Sequence, residues 1–310
     1  MNSTIFTNMD SVRNYNVFTK NSTNASKAME RATTGLKIVG AKDGTSQYAI
    51  SEKMRERINS LNQANQNVQN DTAMMKTAEA GITNIVDVLN KIKANVLEAK
   101  NASTNDSDRQ TIAKDIKSLF DQITYTATST RYNGKYLLTP VASTGIDNGA
   151  ASADGASMLS FHFQIGDDTN GVIKTVQLQN MTLKGLGLTA YTNALNIATN
   201  SSLMDSADLA ILRTDGPNSA DIFIRALDSA LTTALNAATD VGAYENRLGY
   251  TADNVATQIE NLEASDSTIR SSDMAKEITE YMKWSVLSQA SQYMLAQSNQ
   301  NAFSALNLLQ

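Results

Sequence analysis

The sequence lacks cysteine altogether, and its single histidine is His162. Disulfide bonds and thiolate metal sites are therefore excluded. A zinc site of the HExxH type is excluded as well, because it requires two histidines. No other catalytic or metal-binding motif is present, and we expect no cofactor.

Positive charge and long apolar runs are also scarce. The 310 residues include 26 basic and 31 acidic side chains, a formal net charge of −5. This balance argues against nucleic-acid binding, which needs a basic surface to neutralise phosphates. The N-terminus has no basic segment followed by an apolar one, so no cleavable signal peptide is expected. No window approaches eighteen consecutive apolar residues, so no membrane span is expected either.

Proline occurs only at Pro140 and Pro217, which leaves two long arms free of helix breakers. Both arms carry apolar residues at every seventh position. These are Met54, Leu61, Val68, Met75, Ile82, Leu89 and Val96 in the first arm, and Leu227, Ala234, Val241, Leu248, Val255, Leu262 and Ile269 in the second. A sustained seven-residue repeat is typical of coiled coils. We call these residues the rod seam and predict two long paired helices.

The segment between the arms has a different pattern. A third helix is predicted over 106–130, capped by Asp106 or Ser107 and followed by a turn at Asn133-Gly134. Residues 139–157 are small and polar, which predicts a short surface loop. Apolar residues then alternate with polar ones: Leu159, Phe161, Phe163 and Ile165, then Val172, Val176 and Leu178. This alternation predicts a β-hairpin near 158–180, with His162 facing solvent.

Residues 285–310 contain no charged side chain. The apolar positions of this end and of the N-terminal segment include Ile5, Met9, Val12, Val286, Tyr293, Met294, Leu295, Phe303, Leu306, Leu308 and Leu309. A helix that is apolar on nearly every side is buried on nearly every side. We therefore predict that the ends pack against other copies of the chain. Packing of both ends on the chain's own core is one alternative. Binding to a membrane surface is another, although the basic residues typical of such helices are missing.

Two long stretches resemble bacterial flagellin. Residues 30–92, beginning ERATTGLKIVGAKDGTSQYAISEKM, resemble its N-terminal signature. Residues 242–309, including SSDMAKEITEYMKWSVLSQASQYMLAQSNQNAFSALNLL, resemble its C-terminal signature. Together with LSFHFQIG and the hairpin after it, the resemblance covers most of the chain.

The resemblance implies a structural subunit that polymerises into the flagellar filament for swimming motility. The expected fold is mainly α, a long antiparallel helical coiled-coil bundle with a small β-hairpin region. Residues 1–41 and 272–310 would form the inner tube of the filament as a coiled coil on polymerisation. Residues 42–138 and 158–271 would form a helical rod, and 139–157 a short variable loop in place of large outer surface domains.

The resemblance also implies partners and a location. The chain would be secreted through the flagellar type III route and would lie outside the cell in the flagellum. Besides other flagellin subunits, the implied partners are an export chaperone, the filament cap and the hook-junction proteins. Neither nucleic acid nor a membrane is an expected partner.

A further implied feature is the face that innate immune receptors contact, here Leu89, Lys91, Ile92 and Asn95. Strongly recognised flagellins carry an arginine and then a Glu-Leu pair in this stretch, where this chain has Lys91, Ala94 and Asn95. Lysine lacks the planar guanidinium fork of arginine, and asparagine replaces an apolar anchor. These differences argue against strong recognition.

Three other functions remain to be weighed against a filament subunit. The flagellin-like protein that joins hook to filament shares the helical ends, although LAQSNQ and SALNLLQ favour the filament protein. Some flagellins carry a metalloprotease in the middle of the chain, but the short middle and the single histidine argue against an enzyme. A membrane-active translocator would cause leakage from liposomes rather than form fibres.

Overall fold

The computed structural model describes residues 8–101, 103–140, 158–166, 173–191 and 220–307. The helices are α1 (Met9–Thr34), α2 (Thr45–Lys100), α3 (Asp106–Ser129), α4 (Ala220–Arg270) and α5 (Met274–Asn307). The strands are β1 (Arg131–Tyr132), β2 (Lys135–Tyr136), β3 (Met158–Gln164) and β4 (Ile173–Gln179). The predicted fold class, mainly helical with a small β-hairpin, is confirmed.

The chain divides into two compact units. One comprises residues 1–59 and 258–310 and is called the terminal unit here. The other comprises residues 60–257 and is called the central unit.

The core of the central unit is built from α2, α3, α4 and the β3–β4 hairpin. Phe120 of α3 lies 6.2 Å from Phe223 of α4, measured between ring centroids. The two long helices run antiparallel, because Lys93 pairs with Asp228 at 2.5 Å and Lys100 pairs with Asp221 at 2.6 Å. These ion pairs are partly exposed and add little to the stability that burial supplies.

The predicted Asn-Gly turn joins β1 to β2. Asn133 and Gly134 both have positive φ, 47° and 79°. Two positive φ angles in succession match the type I′ turn of tight hairpins, for which Asn-Gly is the favoured pair. The first residues after this hairpin, Leu137 and Leu138, are fully buried.

The predicted β-hairpin is confirmed, with Leu159 opposite Leu178 and Phe161 opposite Val176 in an antiparallel register. These four side chains are buried, as are Phe163 and Ile165. His162 is exposed on the other face of β3, where its Nδ1 lies 3.2 Å from the Thr175 hydroxyl. Val172 lies outside the described residues.

Two local predictions differ from the structure. The N-cap of α3 is Asn105, whose side chain accepts a hydrogen bond from the Asp108 amide, so Asp106 and Ser107 lie inside the helix. Asparagine is as good a cap as aspartate or serine, and the sequence offers all three in succession. Thr139, the first residue of the predicted surface loop, is buried. Residues 141–157 of that loop lie outside the described residues.

In the terminal unit, α1 ends at Thr34 and is capped by Gly35, which has a φ of 69°. The residues after it pair with those after α4, because the Lys37 amide donates to the Arg270 carbonyl and the Ser272 amide donates to the Gly35 carbonyl. This short antiparallel bridge fixes where α1 ends and α5 begins.

Candidate assembly surface

Helices α1 and α5 of the terminal unit lie side by side and are antiparallel. Asn8 donates to the Ser298 carbonyl at 3.3 Å, and Asn14 donates to the Met294 carbonyl at 3.5 Å. Further along, Asn21 donates to the Leu287 carbonyl at 3.3 Å and to the Ser291 hydroxyl at 2.8 Å. Carboxamide groups thus set the register of the pair, as a buried asparagine does in many coiled coils.

The α1–α5 pair buries very few side chains. Only Asn21 and Ala28 are buried among the 26 residues of α1. Where burial is described in α5, Glu277 alone is buried. A helix pair in water normally gains its stability by burying an apolar stripe. Here that stripe is left uncovered.

The predicted assembly residues of the described part are mostly exposed. Their exposed fractions are Met9 65%, Val12 50%, Val286 63%, Tyr293 78%, Met294 60% and Phe303 68%, while Leu295 is half-buried. Ile5, Leu308 and Leu309 lie outside the described residues, as does the side chain of Leu306. A surface with this many large exposed apolar groups is typical of a protein interaction site.

Several exposed apolar residues of α1 and α5 were not among the assembly residues predicted from the sequence. Tyr15, Met29 and Met282 are also half or more exposed. Charged neighbours such as Lys20, Lys27 and Lys283 interrupt the apolar pattern around them. That Tyr15, Met29 and Met282 stay exposed can be seen only in the structure of the paired α1 and α5 helices.

A groove of about 630 Å³ runs between the two helices at the end where α1 finishes. Its walls include the small side chains Ser22, Ala25, Ser26, Ser285 and Ser288, together with Met29, Glu30 and Tyr281. Small residues keep the walls low, so the groove is open to solvent.

The rod seam is buried along most of its length. Leu61, Val68, Met75, Ile82, Leu89, Val96, Leu227, Ala234, Val241, Leu248 and Val255 are all at most 4% exposed. Met54, Leu262 and Ile269 are half-buried. All three lie in the terminal unit, and the buried members lie in the central unit.

Of the four residues that the resemblance implies as a receptor face, two are buried and two are at least partly exposed. Leu89 and Ile92 are buried in the core of the central unit, so their side chains are not accessible on this chain. Lys91 is exposed, and Asn95 is half-buried. The reachable part of that face therefore consists of these two polar side chains.

Two carboxyl groups of the central unit have raised pKa values. Burial raises the pKa of Asp71 to about 6, although the positive charge of Lys135 opposes the shift. Burial also raises the pKa of Glu245, and the nearby negative charge of Glu79 adds to it. One oxygen of each group is buried without a hydrogen-bond partner. Both groups lie outside the α1–α5 surface.

Metal-binding clusters and membrane-spanning helices are both absent from the described residues. Among them, no three histidine, aspartate or glutamate side chains are grouped so as to hold a metal ion. None of the helices within the described ranges has the length and apolar character required to cross a membrane.

Comparison with known proteins agrees with the helical pattern. Residues 5–143 match the family model of the bacterial flagellin N-terminal helical region, and residues 224–309 match that of the C-terminal helical region. A flagellin of Bacillus subtilis is 34% identical over 97% of this chain and 98% of its own. A flagellar filament 30.7 kDa core protein of Treponema maltophilum is 34% identical over 91% and 90%.

A solved structure shares the fold. A Vibrio parahaemolyticus chain, described as a flagellar hook-associated protein, superposes with a TM-score of 0.56 at 16% identity. The match covers 74% of this chain and 100% of that chain.

Proposed function

The chain belongs to the bacterial flagellin family and is a structural subunit of the flagellar filament, and we propose that α1 and α5 supply the surface through which its copies assemble. The observation that carries this proposal is the exposure of Met9, Val12, Val286, Tyr293, Met294 and Phe303 on one helix pair. Complete burial of a fully exposed large apolar side chain contributes roughly 1.5–3 kcal/mol, and burial between copies would contribute the part that belongs to the fraction of each side chain still exposed here.

The absence of charged side chains at the C-terminal end also supports assembly through α1 and α5. Residues 285–310 include no Asp, Glu, Lys, Arg or His, so many copies can be brought close together without repulsion between like-charged side chains. The rod seam, by contrast, is covered within the chain itself. We propose that the seam holds each subunit together, and that the two terminal helices hold subunits to one another in the inner tube of the filament.

Further partners follow from family membership as proposals. An export chaperone would cover the apolar end of the chain before assembly, and the filament cap and hook-junction proteins would contact the first and last subunits of the filament. The subunit would be secreted through the flagellar export route and lie outside the cell. We also propose that it has no enzymatic activity and that Lys91 and Asn95 support only weak innate-receptor contact.

Removal of residues 301–310 tests the assembly proposal. We expect the truncated protein to keep its helical circular dichroism but to fail to form filaments, because Phe303 and the apolar residues after it are lost. Sedimentation after seeding measures polymer directly. Filaments of normal length from the truncated protein would contradict the proposal.

A pair of single substitutions on α5 makes the test sharper. Met294→Ser removes an exposed apolar side chain, while Gln292→Ser changes an exposed polar one two residues away. We expect the first to raise the critical concentration for polymerisation about tenfold or more, and the second to leave it within about twofold. Equal effects would show that apolar exposure on α5 is not what drives assembly.

A further inference from the structure

Methionine is unevenly distributed over the surface of the chain. Five methionines of α1 and α5 are 42% to 65% exposed: Met9, Met29, Met274, Met282 and Met294. Among the other described methionines, only Met158 at the start of β3 is exposed. Met74, Met75 and Met181 are buried in the central unit, and Met54 is half-buried. The accessible thioethers therefore lie almost entirely on α1 and α5.

The exposed methionines are spread along the length of the helix pair. The Asn14 carboxamide donates to the Met294 carbonyl, so Met294 lies beside the first turns of α1, in the same part of the pair as Met9. Met29 lines the groove at the other end of the pair, and Met282 lies within the segment of α5 that forms the opposite wall. Both ends of the pair thus present thioethers to solvent.

We infer that the exposed methionines of α1 and α5 are modification sites, and that their oxidation by a peroxide keeps a free subunit from assembling. The inference rests on the proposed function, because it takes α1 and α5 to be the assembly surface. The two can fail separately, since filaments can form through α1 and α5 whether or not oxidation blocks them.

The reaction is a two-electron oxygen transfer. The thioether sulfur attacks one oxygen of hydrogen peroxide, the O–O bond breaks, and an S–O bond forms. The departing hydroxide takes the proton of the transferred hydroxyl group. Sulfur is thereby oxidised to the sulfoxide, and the peroxide is reduced to water. The chain has no cysteine, whose thiolate would compete for the same oxidant.

The product has the opposite preference for burial. Methionine is a flexible apolar side chain, whereas its sulfoxide is polar and disrupts methionine-rich interfaces. Burial of a sulfoxide oxygen without a hydrogen-bond donor is unfavourable. Oxidation would therefore weaken the packing of α1 and α5 against other copies while leaving the buried core of the central unit intact.

Assembly would in turn limit the reaction. A thioether buried between copies is out of reach of the oxidant, so peroxide would act on free subunits and spare the assembled ones. The block would also be reversible, because methionine sulfoxide reductases return each sulfoxide epimer to the thioether.

Peroxide treatment of free subunits tests the inference directly. By peptide mass spectrometry we expect the five methionines to gain one oxygen each at least about fivefold faster than Met74, Met75 and Met181. The circular dichroism should stay helical. The critical concentration for polymerisation should rise about tenfold or more, and the two reductases should return it to within about twofold of its original value.

Leucine variants assign the effect to these side chains. The test variant combines Met9→Leu, Met29→Leu, Met274→Leu, Met282→Leu and Met294→Leu, which keep apolar side chains of similar volume without sulfur. Its critical concentration should change less than about twofold on peroxide treatment. The matched control is Met158→Leu, which removes the exposed methionine of the central unit and should remain as sensitive as the wild type. Equal sensitivity of the test variant and the wild type would overturn the inference.

A partition experiment with the wild type alone decides the case if the test variant does not assemble. Partly oxidised subunits are seeded, and polymer is separated from free subunits by sedimentation. Sulfoxides of the five methionines should be at least about threefold depleted in the polymer, whereas the Met158 sulfoxide should be shared equally. An equal share of all sulfoxides would overturn the inference. Failure of the untreated wild type to form filaments would instead overturn the proposed function.

Discussion

Arg270, at the end of α4, donates a hydrogen bond from Nη1 to Oε1 of Glu52 at 2.8 Å, and only 8% of the arginine side chain is exposed. The same nitrogen lies 3.4 Å from the Ser51 hydroxyl, which in turn donates to Asp266. The guanidinium also lies 5.7 Å from the centre of the Tyr48 ring. A buried cation is thus held by an anion, a hydroxyl and an aromatic ring, all within the terminal unit.

Arg270→Ala should destabilise the terminal unit by about 1.5–3 kcal/mol, because it removes a charge-assisted hydrogen bond to Glu52 and the packing of a buried side chain. The matched control uses the same glutamate. Arg55 also pairs with Glu52, at 3.3 Å, but its side chain is 54% exposed. Arg55→Ala should cost less than about 1 kcal/mol. Urea unfolding of both monomers, followed by circular dichroism, would compare them, and similar midpoints would contradict the role given to Arg270.

Substitutions on and off the rod seam of α4 should differ strongly in their effect on stability. Leu248 is 3% exposed, whereas Asp253 is exposed. Leu248→Asp places an unpaired carboxylate in the core and removes a side chain worth roughly 1.5–3 kcal/mol. Asp253→Ala should change the free energy of unfolding by no more than about ±0.5 kcal/mol. Thermal melts of the two monomers give the comparison, and equal melting temperatures would mean that the seam is misassigned.

Two glycines should respond to alanine with opposite signs. A Cβ on Gly81 would lie 2.7 Å from the Thr130 hydroxyl and 2.8 Å from a methyl group of Leu138. Gly81→Ala should therefore destabilise the central unit by about 1–3 kcal/mol. A Cβ on Gly249 of α4 meets nothing within 4 Å. There, alanine should stabilise by about 0.5–1 kcal/mol, since glycine disfavours helix interiors. A shift of both melting temperatures in the same direction would contradict this assignment.

Asp71 gives the monomer a defined pH dependence. Burial raises the pKa of Asp71 from its ordinary value to about 6, so the folded state binds the proton more tightly than the unfolded chain does. The stability from this group is present at low pH and is lost as pH rises through about 4 to 6. Asp71→Asn should reduce the decrease in stability between pH 4 and 6. Asp87→Asn, at an exposed position of the same helix, should leave that decrease unchanged. Urea midpoints measured across pH 4 to 7 would show it, and an unchanged slope in Asp71→Asn would contradict the assignment.

The paired helices of the central unit could be predicted because one physical signal dominates them. Residues such as Leu61, Val68 and Val241 repeat every seven positions, and burial of that stripe decides where the helices pack. The β-hairpin could also be predicted from the sequence, since Phe161 and Phe163 alternate with polar neighbours. Both patterns can be recognised within a short stretch of sequence, and their apolar residues are buried within the chain itself.

Other features depend on contacts between residues far apart in the chain. Asn21 gave no sign of being buried, because its burial depends on the Leu287 carbonyl and the Ser291 hydroxyl about 270 positions away. The groove depends on Ser26 and Ser288, which are unremarkable until α1 and α5 are paired. The shift of the α3 cap to Asn105 reflects a choice among three adjacent capping residues of similar strength.

The sparse burial along α1 also bears on how subunits are held and released. A helix pair that buries little more than Asn21 and Ala28 between its members gains little free energy on its own, so its folding is linked by mass action to the concentration of neighbours. In a filament assembled through this helix pair, a subunit in the body would be contacted by more neighbours than a subunit at either end. The helix pair of an end subunit would then be the part that loosens first. Growth and loss should therefore be confined to the ends, and a long filament should persist at monomer concentrations too low to start a new one.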